Sequence, residues 1–405
     1  MMRDIFTTAD VLLPGGISFE KWSVVACDQF SSEREYWERV DAFVGGEPST
    51  LRMIIPEAYL EEINEEEEVR KIRAAMDGYV ERGVISEIKD SFIYVERTQA
   101  DGRVRRGLVG TIDLDDYEFS GIEAPILASE GTVLDRLPAR IRVRQAARLE
   151  LPHIMTFIND TDATVIEPLA SIAADLPLLY DFELMEGGGH IKGMRVTGSA
   201  ADRVKEAMHV LSGKNKMLMV IGDGNHSLAA AKVYWDRIKQ DMGDKERESH
   251  PARRALVEVN NVYDPAISFE AIHRVIFDTD PAGFIKEFEK AMPAGSDYVL
   301  QIVSGSHNSS VGVAADCIGD MLTVMQGFLD DYVTRNGCRI DYIHGDDSTM
   351  KLAQGERCVG IIVPSMDKSE LFATVETSGV FPRKAFSVGH AWDKRYYLEC
   401  RVIEN

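Results

Sequence analysis

The sequence predicts an α/β or α+β protein: a mixed β-sheet with packed helices, in two domains or in one domain with large insertions. Three observations lead there. The 405 residues exceed what one ordinary core organises. Apolar residues make up 45% and charged residues 28%, a globular composition. Apolar runs of strand length interleave with segments of helical spacing, without a strict βαβ rhythm. A boundary is expected near Arg254, dividing residues 1–254 from a C-terminal α/β domain of residues 255–405.

The elements follow in order. Pro56 to Arg82 reads as a helix whose early acidic cluster suits the positive end of the helix dipole. Residues 91–114 read as two strands around an Asp101-Gly102 turn. Residues 176–196 read as a second hairpin, with Gly187, Gly188 and Gly189 at its tip. Met217 to Ile221 is uniformly apolar, as a strand covered on both faces would be. Leu228, Ala231, Trp235 and Ile238 then recur at helical spacing. The polar stretch from Asp241 to Arg254, interrupted by Pro251, reads as an exposed connection. Beyond it come a strand from Ala255, a strand from Tyr298, a helix from Met321, a strand from Cys358 and a final hairpin around Ala391 to Arg395.

Lys and Arg total 45 against 67 Asp and Glu, a net charge of −22. That balance disfavours a nucleic-acid backbone or an anionic membrane as partner. It leaves open a small anionic ligand held by backbone N–H groups. The five cysteines, Cys27, Cys317, Cys338, Cys358 and Cys400, are odd in number and lack CxxC spacing, which points to a reduced, cytoplasmic protein. No signal peptide or membrane span is evident. The oligomeric state is left open.

The candidate site is the corner Gly222-Asp223-Gly224-Asn225-His226-Ser227 between strand and helix. Asn225 or Ser227 is expected to cap the helix. Gly222 and Gly224 permit positive φ and close ligand approach. Unpaired amides at a helix start, added to the dipole, make an anion site without a basic side chain. Neither Asp223 nor His226 is needed for a cap or a turn. Both sit where an open α/β sheet places ligands, past a strand's carboxyl end. No Walker lysine motif is present, and Ser227 stands where a dinucleotide fingerprint would have its third glycine. The bland alternative is an empty, capped turn.

Other residues carry two readings each. Asp28 follows the apolar run ending at Cys27. It would serve as general base, or hold Mg²⁺ with Asp223, if the two strands are neighbours. Otherwise it is a turn residue ahead of a capping box of Ser31 or Ser32 with Glu35. Cys27 reads as inert packing rather than as a nucleophile. Arg140, Arg142 and Arg144 alternate as on one strand face, while Arg144 and Arg148 suit one helix face; pairing with carboxylates is the main expectation for this set. His273 and Arg274 are adjacent, so only one can face a pocket. His153 is equally ambiguous. The His344–Asp347 segment reads as an exposed acidic turn rather than a metal site. Zinc spacings are absent.

Val220 to Lys232 resembles the Asp-Gly-His or Asp-Gly-Asn-His-Ser segment of the bacterial and archaeal domain-of-unknown-function family 1015. The segments at 23–33, 130–155, 269–276 and 378–403 resemble that family in the same order. The family's corner is similar to that of ParB/sulfiredoxin-like proteins, a group that includes a free-serine kinase. The resemblance implies a nucleotide (ATP or ADP) and Mg²⁺, with phosphate cradled by Gly222, Gly224, Asn225 and Ser227. It implies Asp223 and Asp28 as metal ligands, His226 beside the transferred group, and Asp28 or Glu33 accepting the proton of a small hydroxyl-bearing, serine-like metabolite. This chain lacks the family's usual corner arginine. Arg136, Arg142 or Arg274 would then supply the charge, with Arg136 favoured by the family pattern. The alternatives are a non-catalytic nucleotide- or metabolite-binding regulator and a small-molecule phosphoester hydrolase.

Overall fold

The computed structural model describes residues 4–60, 62–121, 123–132, 134 and 137–404. The chain forms two compact units. The first comprises residues 1–128, 132–267 and 390–405; the second comprises residues 129–131 and 268–389. Arg254, where a domain boundary was expected, instead opens a strand inside the first unit, Arg254–Asn261.

The first unit is built on a mixed sheet. Its order is Leu178–Glu183, His190–Val196, Ile85–Thr98, Val104–Asp113, Arg254–Asn261, Met155–Ile158, Met219–Asp223, Ile126–Ala128 and Tyr117–Glu118. Both expected hairpins are present. Ile93 pairs with Val109 and Thr98 with Val104 in the first. Glu183 pairs with His190 in the second. Their alternating β-branched and aromatic residues suit a half-buried pleat.

The acidic helix is shorter than its pattern predicts. Glu57–Tyr59 is a separate 3-10 turn, and the α-helix runs Glu65–Glu81. Asn64 accepts the amide of Glu67 at 3.1 Å and so sets the start. The four glutamates Glu65 to Glu68 then fill the first turn, where the dipole favours them. The stretch containing Arg140, Arg142 and Arg144 is helical, Leu137–Ala146, not a strand. Leu137 and Ile141, four residues apart, bury one face against Ala229 and Ala230.

The final segment is no hairpin. Tyr396–Tyr397 pairs with Val24–Val25, and Arg401–Val402 pairs with Leu149–Glu150. A buried ion network holds it. Arg395 donates to Glu258 at 2.9 Å and to Glu399 at 2.7 Å, and all three are almost fully buried. The Tyr180 hydroxyl donates to the other oxygen of Glu399 at 2.7 Å. Residues 390–405 are thereby bolted to the central strand of the sheet.

The second unit has its own sheet, ordered His307–Val313, Ala294–Ser304, Val359–Ile362, Phe269–Phe277 and Arg339–His344. Its longest helix, Ile318–Asn336, buries Ile318, Met321, Leu322, Met325 and Leu329 at three- and four-residue spacing. Gly337, at φ 63°, ends it in the left-handed conformation. Among the described residues no helix is long and apolar enough to cross a membrane.

Candidate functional site

The corner strand is Met219–Asp223, two residues later than its apolar run predicts. Met219, Val220 and Ile221 are fully buried, between the parallel Ile126–Ala128 and the antiparallel Met155–Ile158. Gly222 is required by packing: a Cβ there would overlap the Phe157 ring. Gly224 is required by conformation, with φ 80° and ψ 21°. It is also the helix N-cap, in place of the expected Asn225 or Ser227, which are the first and third helical residues. The left-handed turn moves the helix start upstream, so neither polar side chain occupies the cap.

The helix Asn225–Ile238 is fixed by Leu228, Ala231 and Trp235, all buried. The Trp235 indole donates to Asp115 at 2.8 Å. The first helical bond to the cap is Leu228 N–H to Gly224 O, 3.0 Å. The amides of Asn225, His226 and Ser227 therefore precede the helical ladder and sit at its positive end.

The group that completes the corner is Lys394. Its side chain is only 7% exposed, and its ammonium lies 3.4 Å from Asp223 Oδ2. That oxygen has no hydrogen-bond partner among the described residues, while Asp223 Oδ1 accepts the Gly224 amide at 3.1 Å. A buried lysine needs compensating charge. Extended backbone sends neighbouring side chains to opposite sides; Lys394 meets Asp223, and Arg395 meets Glu258 and Glu399.

Asp28 joins the same group by a different route from the one expected. Its segment does not pair with the corner strand. Val24–Val25 instead pairs with Tyr396–Tyr397, and Ala26 N–H donates to Arg395 O at 3.0 Å. That ties the Asp28 turn to the segment carrying Lys394. Burial pushes the Asp28 carboxyl up, but His153, the Gln29 amide, Lys394 and Arg140 outweigh it, and the group rests below the ordinary carboxylate range. His153 Nε2 lies 4.0 Å from Asp28 Oδ2, and His153 Nδ1 shares a 2.9 Å hydrogen bond with the Tyr397 hydroxyl. The same hydroxyl lies 3.2 Å from Cys27 Sγ. Burial first, and Asp28 second, push the Cys27 thiol up to about 12, so it stays protonated and is no nucleophile.

A family model described as "Protein of unknown function (DUF1015)" matches residues 15–369. The chain is a member of the DUF1015 family. The matched range includes Asp28 and the corner, and Lys394 lies beyond it. No curated protein matches this DUF1015 chain. Solved structures similar to it include the following three. A free serine kinase variant in complex with AMP is 11% identical, with a TM-score of 0.42, covering 73% of this chain and 92% of its own. A conserved hypothetical protein from Pyrococcus furiosus is 12% identical, with a TM-score of 0.36, covering 71% and 92%. A C-terminally truncated SbnI from Staphylococcus aureus is 12% identical, with a TM-score of 0.32, covering 69% and 82%. What this DUF1015 protein does has to be read from its own side chains.

The remaining candidates lie elsewhere or are already engaged. Arg136 falls outside the described residues. Arg142 is exposed and paired with Glu65 at 2.6 Å. Arg140 pairs with Glu57, Arg144 with Glu150 at 2.9 Å, and Arg148 with Asp77 at 3.5 Å. Arg274 belongs to the second unit, fully buried against Gln326 and the Tyr342 ring; burial pulls its pKa down to about 10. Its neighbour His273 takes the other face, where Nδ1 accepts the Val363 amide at 3.1 Å and Nε2 meets Asp346 at 2.7 Å. Glu33 is exposed at the cap of the helix Arg34–Val44, without a side-chain capping bond; Ser31 and Ser32 are not its caps. Among the described residues no cluster of three or more His, Cys, Asp or Glu side chains is arranged to hold a metal alone. Asp223 and Asp28 still offer two hard oxygen donors, the share Mg²⁺ takes from a protein when phosphate and water supply the rest.

Lys394 is the residue the sequence reading missed. The signal was present: Asp393-Lys394-Arg395 stands directly before the apolar Tyr396-Tyr397-Leu398. A charged triplet flush against a buried run has to be neutralised inside the fold.

Proposed function

We propose that the Asp223–Ser227 corner holds the phosphates of ATP or ADP and transfers a phosphoryl group to the hydroxyl of a small metabolite. One observation carries this reading. Lys394 brings a buried positive charge to Asp223 and acts on Asp28, at the positive end of a helix. This is the cation that the missing corner arginine would have supplied. With Arg140 already paired to Glu57, the charges of Asp223 and Asp28 exceed that of Lys394, which favours a phosphate arriving with a divalent cation. Mg²⁺, when bound through Asp223 and Asp28, would neutralise charge on the phosphate oxygens.

The roles follow from the geometry. The amides of Asn225, His226 and Ser227 bind phosphate oxygens along the dipole, and the left-handed turn at Gly224 sets where that helix begins. Lys394 stabilises charge as the bond between phosphorus and the leaving oxygen breaks. The acceptor oxygen attacks phosphorus, and its proton passes to Asp28, which is ionised at neutral pH and so able to take it. His226, half-buried at the second helical position, steadies the moving phosphoryl group. Glu33 is the alternative proton acceptor. Positioning and charge neutralisation supply most of the rate.

The test is direct. The purified chain is incubated with ATP or ADP, Mg²⁺ and a mixture of hydroxyl-bearing metabolites, and new phosphoesters are followed by ³¹P NMR. Turnover that disappears in His226→Ala and Lys394→Met supports a phosphotransferase. Saturable nucleotide binding without turnover would make the protein a regulator instead. Phosphate release from phosphoesters without nucleotide would make it a hydrolase.

A further inference from the structure

The first unit holds a half-open cavity of about 190 Å³ that the phosphate corner does not need. Its wall is mostly apolar, with Met53, Met76, Val143, Leu149, Ala230 and Ile403 among the lining residues. The charges that reach it are already matched: Arg140 by Glu57, Arg144 by Glu150 at 2.9 Å, and Glu65 by Arg142 at 2.6 Å. An entering ion would have to break such pairs, whereas a neutral apolar group displaces only weakly held water. The lining therefore selects an uncharged aliphatic or aromatic group. An apolar cavity of ~150 Å³ takes benzene, so this one suits about six to eight non-hydrogen atoms.

Its position matters as much as its size. The wall includes Ser227, the third residue of the corner helix, and Cys27, the residue before Asp28. It also includes Tyr397, whose hydroxyl joins Cys27 to His153. The cavity thus borders both halves of the charged group around Lys394.

We propose that this cavity binds the apolar arm of the acceptor, a hydroxyl compound whose arm carries about six to eight non-hydrogen atoms. The hydroxyl rests on the phosphotransfer reading; the arm rests on the cavity alone. Straight-chain alcohols from propanol to octanol, titrated into the full chain by calorimetry, test it. Affinity rises about fourfold per added methylene until the cavity is full, and then levels. Ala230→Phe and Val143→Phe each fill the space, lowering hexanol affinity at least tenfold while ADP binding persists. Circular dichroism melts establish that each variant folds, and the length series on the unaltered chain decides the matter should neither do so. No saturable hexanol binding by the unaltered chain, or unchanged affinity in both folded variants, overturns the proposal. ADP binding measured on the same samples separates the two ideas. Alcohol binding without ADP binding defeats the phosphotransfer reading and leaves the cavity; ADP binding without alcohol binding defeats the cavity alone.

Discussion

At the scale of single residues, the site turns on how Lys394 is compensated. Lys394→Met removes the cation and leaves Asp223 beside it without a counter-ion. The expected cost is about 3 kcal/mol of stability, read from urea denaturation, together with loss of ADP binding in calorimetry. Asp28→Asn keeps the shape and removes the proton acceptor, so kcat should fall by about 10²–10⁴-fold, while affinity for nucleotide measured without Mg²⁺ is little changed. The depressed Asp28 carboxyl also sets a pH dependence. The folded form binds its proton less readily than the unfolded chain, so its stabilising contribution is complete above the ordinary carboxylate range. It is lost as pH falls from about 4 through the lower folded value. Denaturant midpoints measured from pH 6 to pH 3 should fall more steeply for the unaltered chain than for Asp28→Asn. Equal slopes would mean that His153, Lys394 and Arg140 do not hold the carboxyl down.

At the scale of elements, the corner depends on two glycines for different reasons, and substitutions separate them. Gly222→Ala drives a methyl into the Phe157 ring and should cost roughly 1–3 kcal/mol. Much of that should return in the double variant with Phe157→Leu. Gly224→Ala meets Ile154 at 3.0 Å and must hold φ 80°, a cost of about 1–3 kcal/mol that no change at Phe157 relieves. Urea midpoints of Gly222→Ala and Gly224→Ala, each alone and combined with Phe157→Leu, check both statements. The strand–glycine–helix order of this corner was legible because solid apolar residues and a helical stripe flank it on either side. The cap was not, since a left-handed glycine can displace Asn225 or Ser227 without any change in their types. The Arg140–Arg144 alternation misled because charged residues spaced by two fit a strand face as well as the flank of an exposed helix. The packing of Leu137 and Ile141 on Ala229 and Ala230 settles it, and that contact is distant in sequence. Lys394 stayed hidden for the same reason, lying 171 positions after Asp223 (394 − 223).

At the scale of the whole molecule, the first unit is discontinuous and is closed by residues 390–405. Arg395 is the main electrostatic link, facing Glu258 on the central strand and Glu399 on its own segment. Arg395→Met leaves buried Glu399 without a cation and Glu258 with Arg105 alone, and should cost about 3–5 kcal/mol. Hydrogen exchange should then quicken along Arg254–Asn261, while the Ile318–Asn336 helix of the second unit keeps its protection. Equal loosening of both would mean that the units do not unfold separately. The chain order has a further bearing on biosynthesis. A ribosome that has finished Ile267 must still translate residues 268–389 before Lys394, Arg395 and Tyr397 emerge, a delay on the order of ten seconds at bacterial rates. Throughout that interval the nascent chain carries Glu258 with Arg105 as its cation but without Arg395, and Asp223 without Lys394. The charge balance of the Asp223 corner can therefore be completed only after the intervening unit has left the exit tunnel.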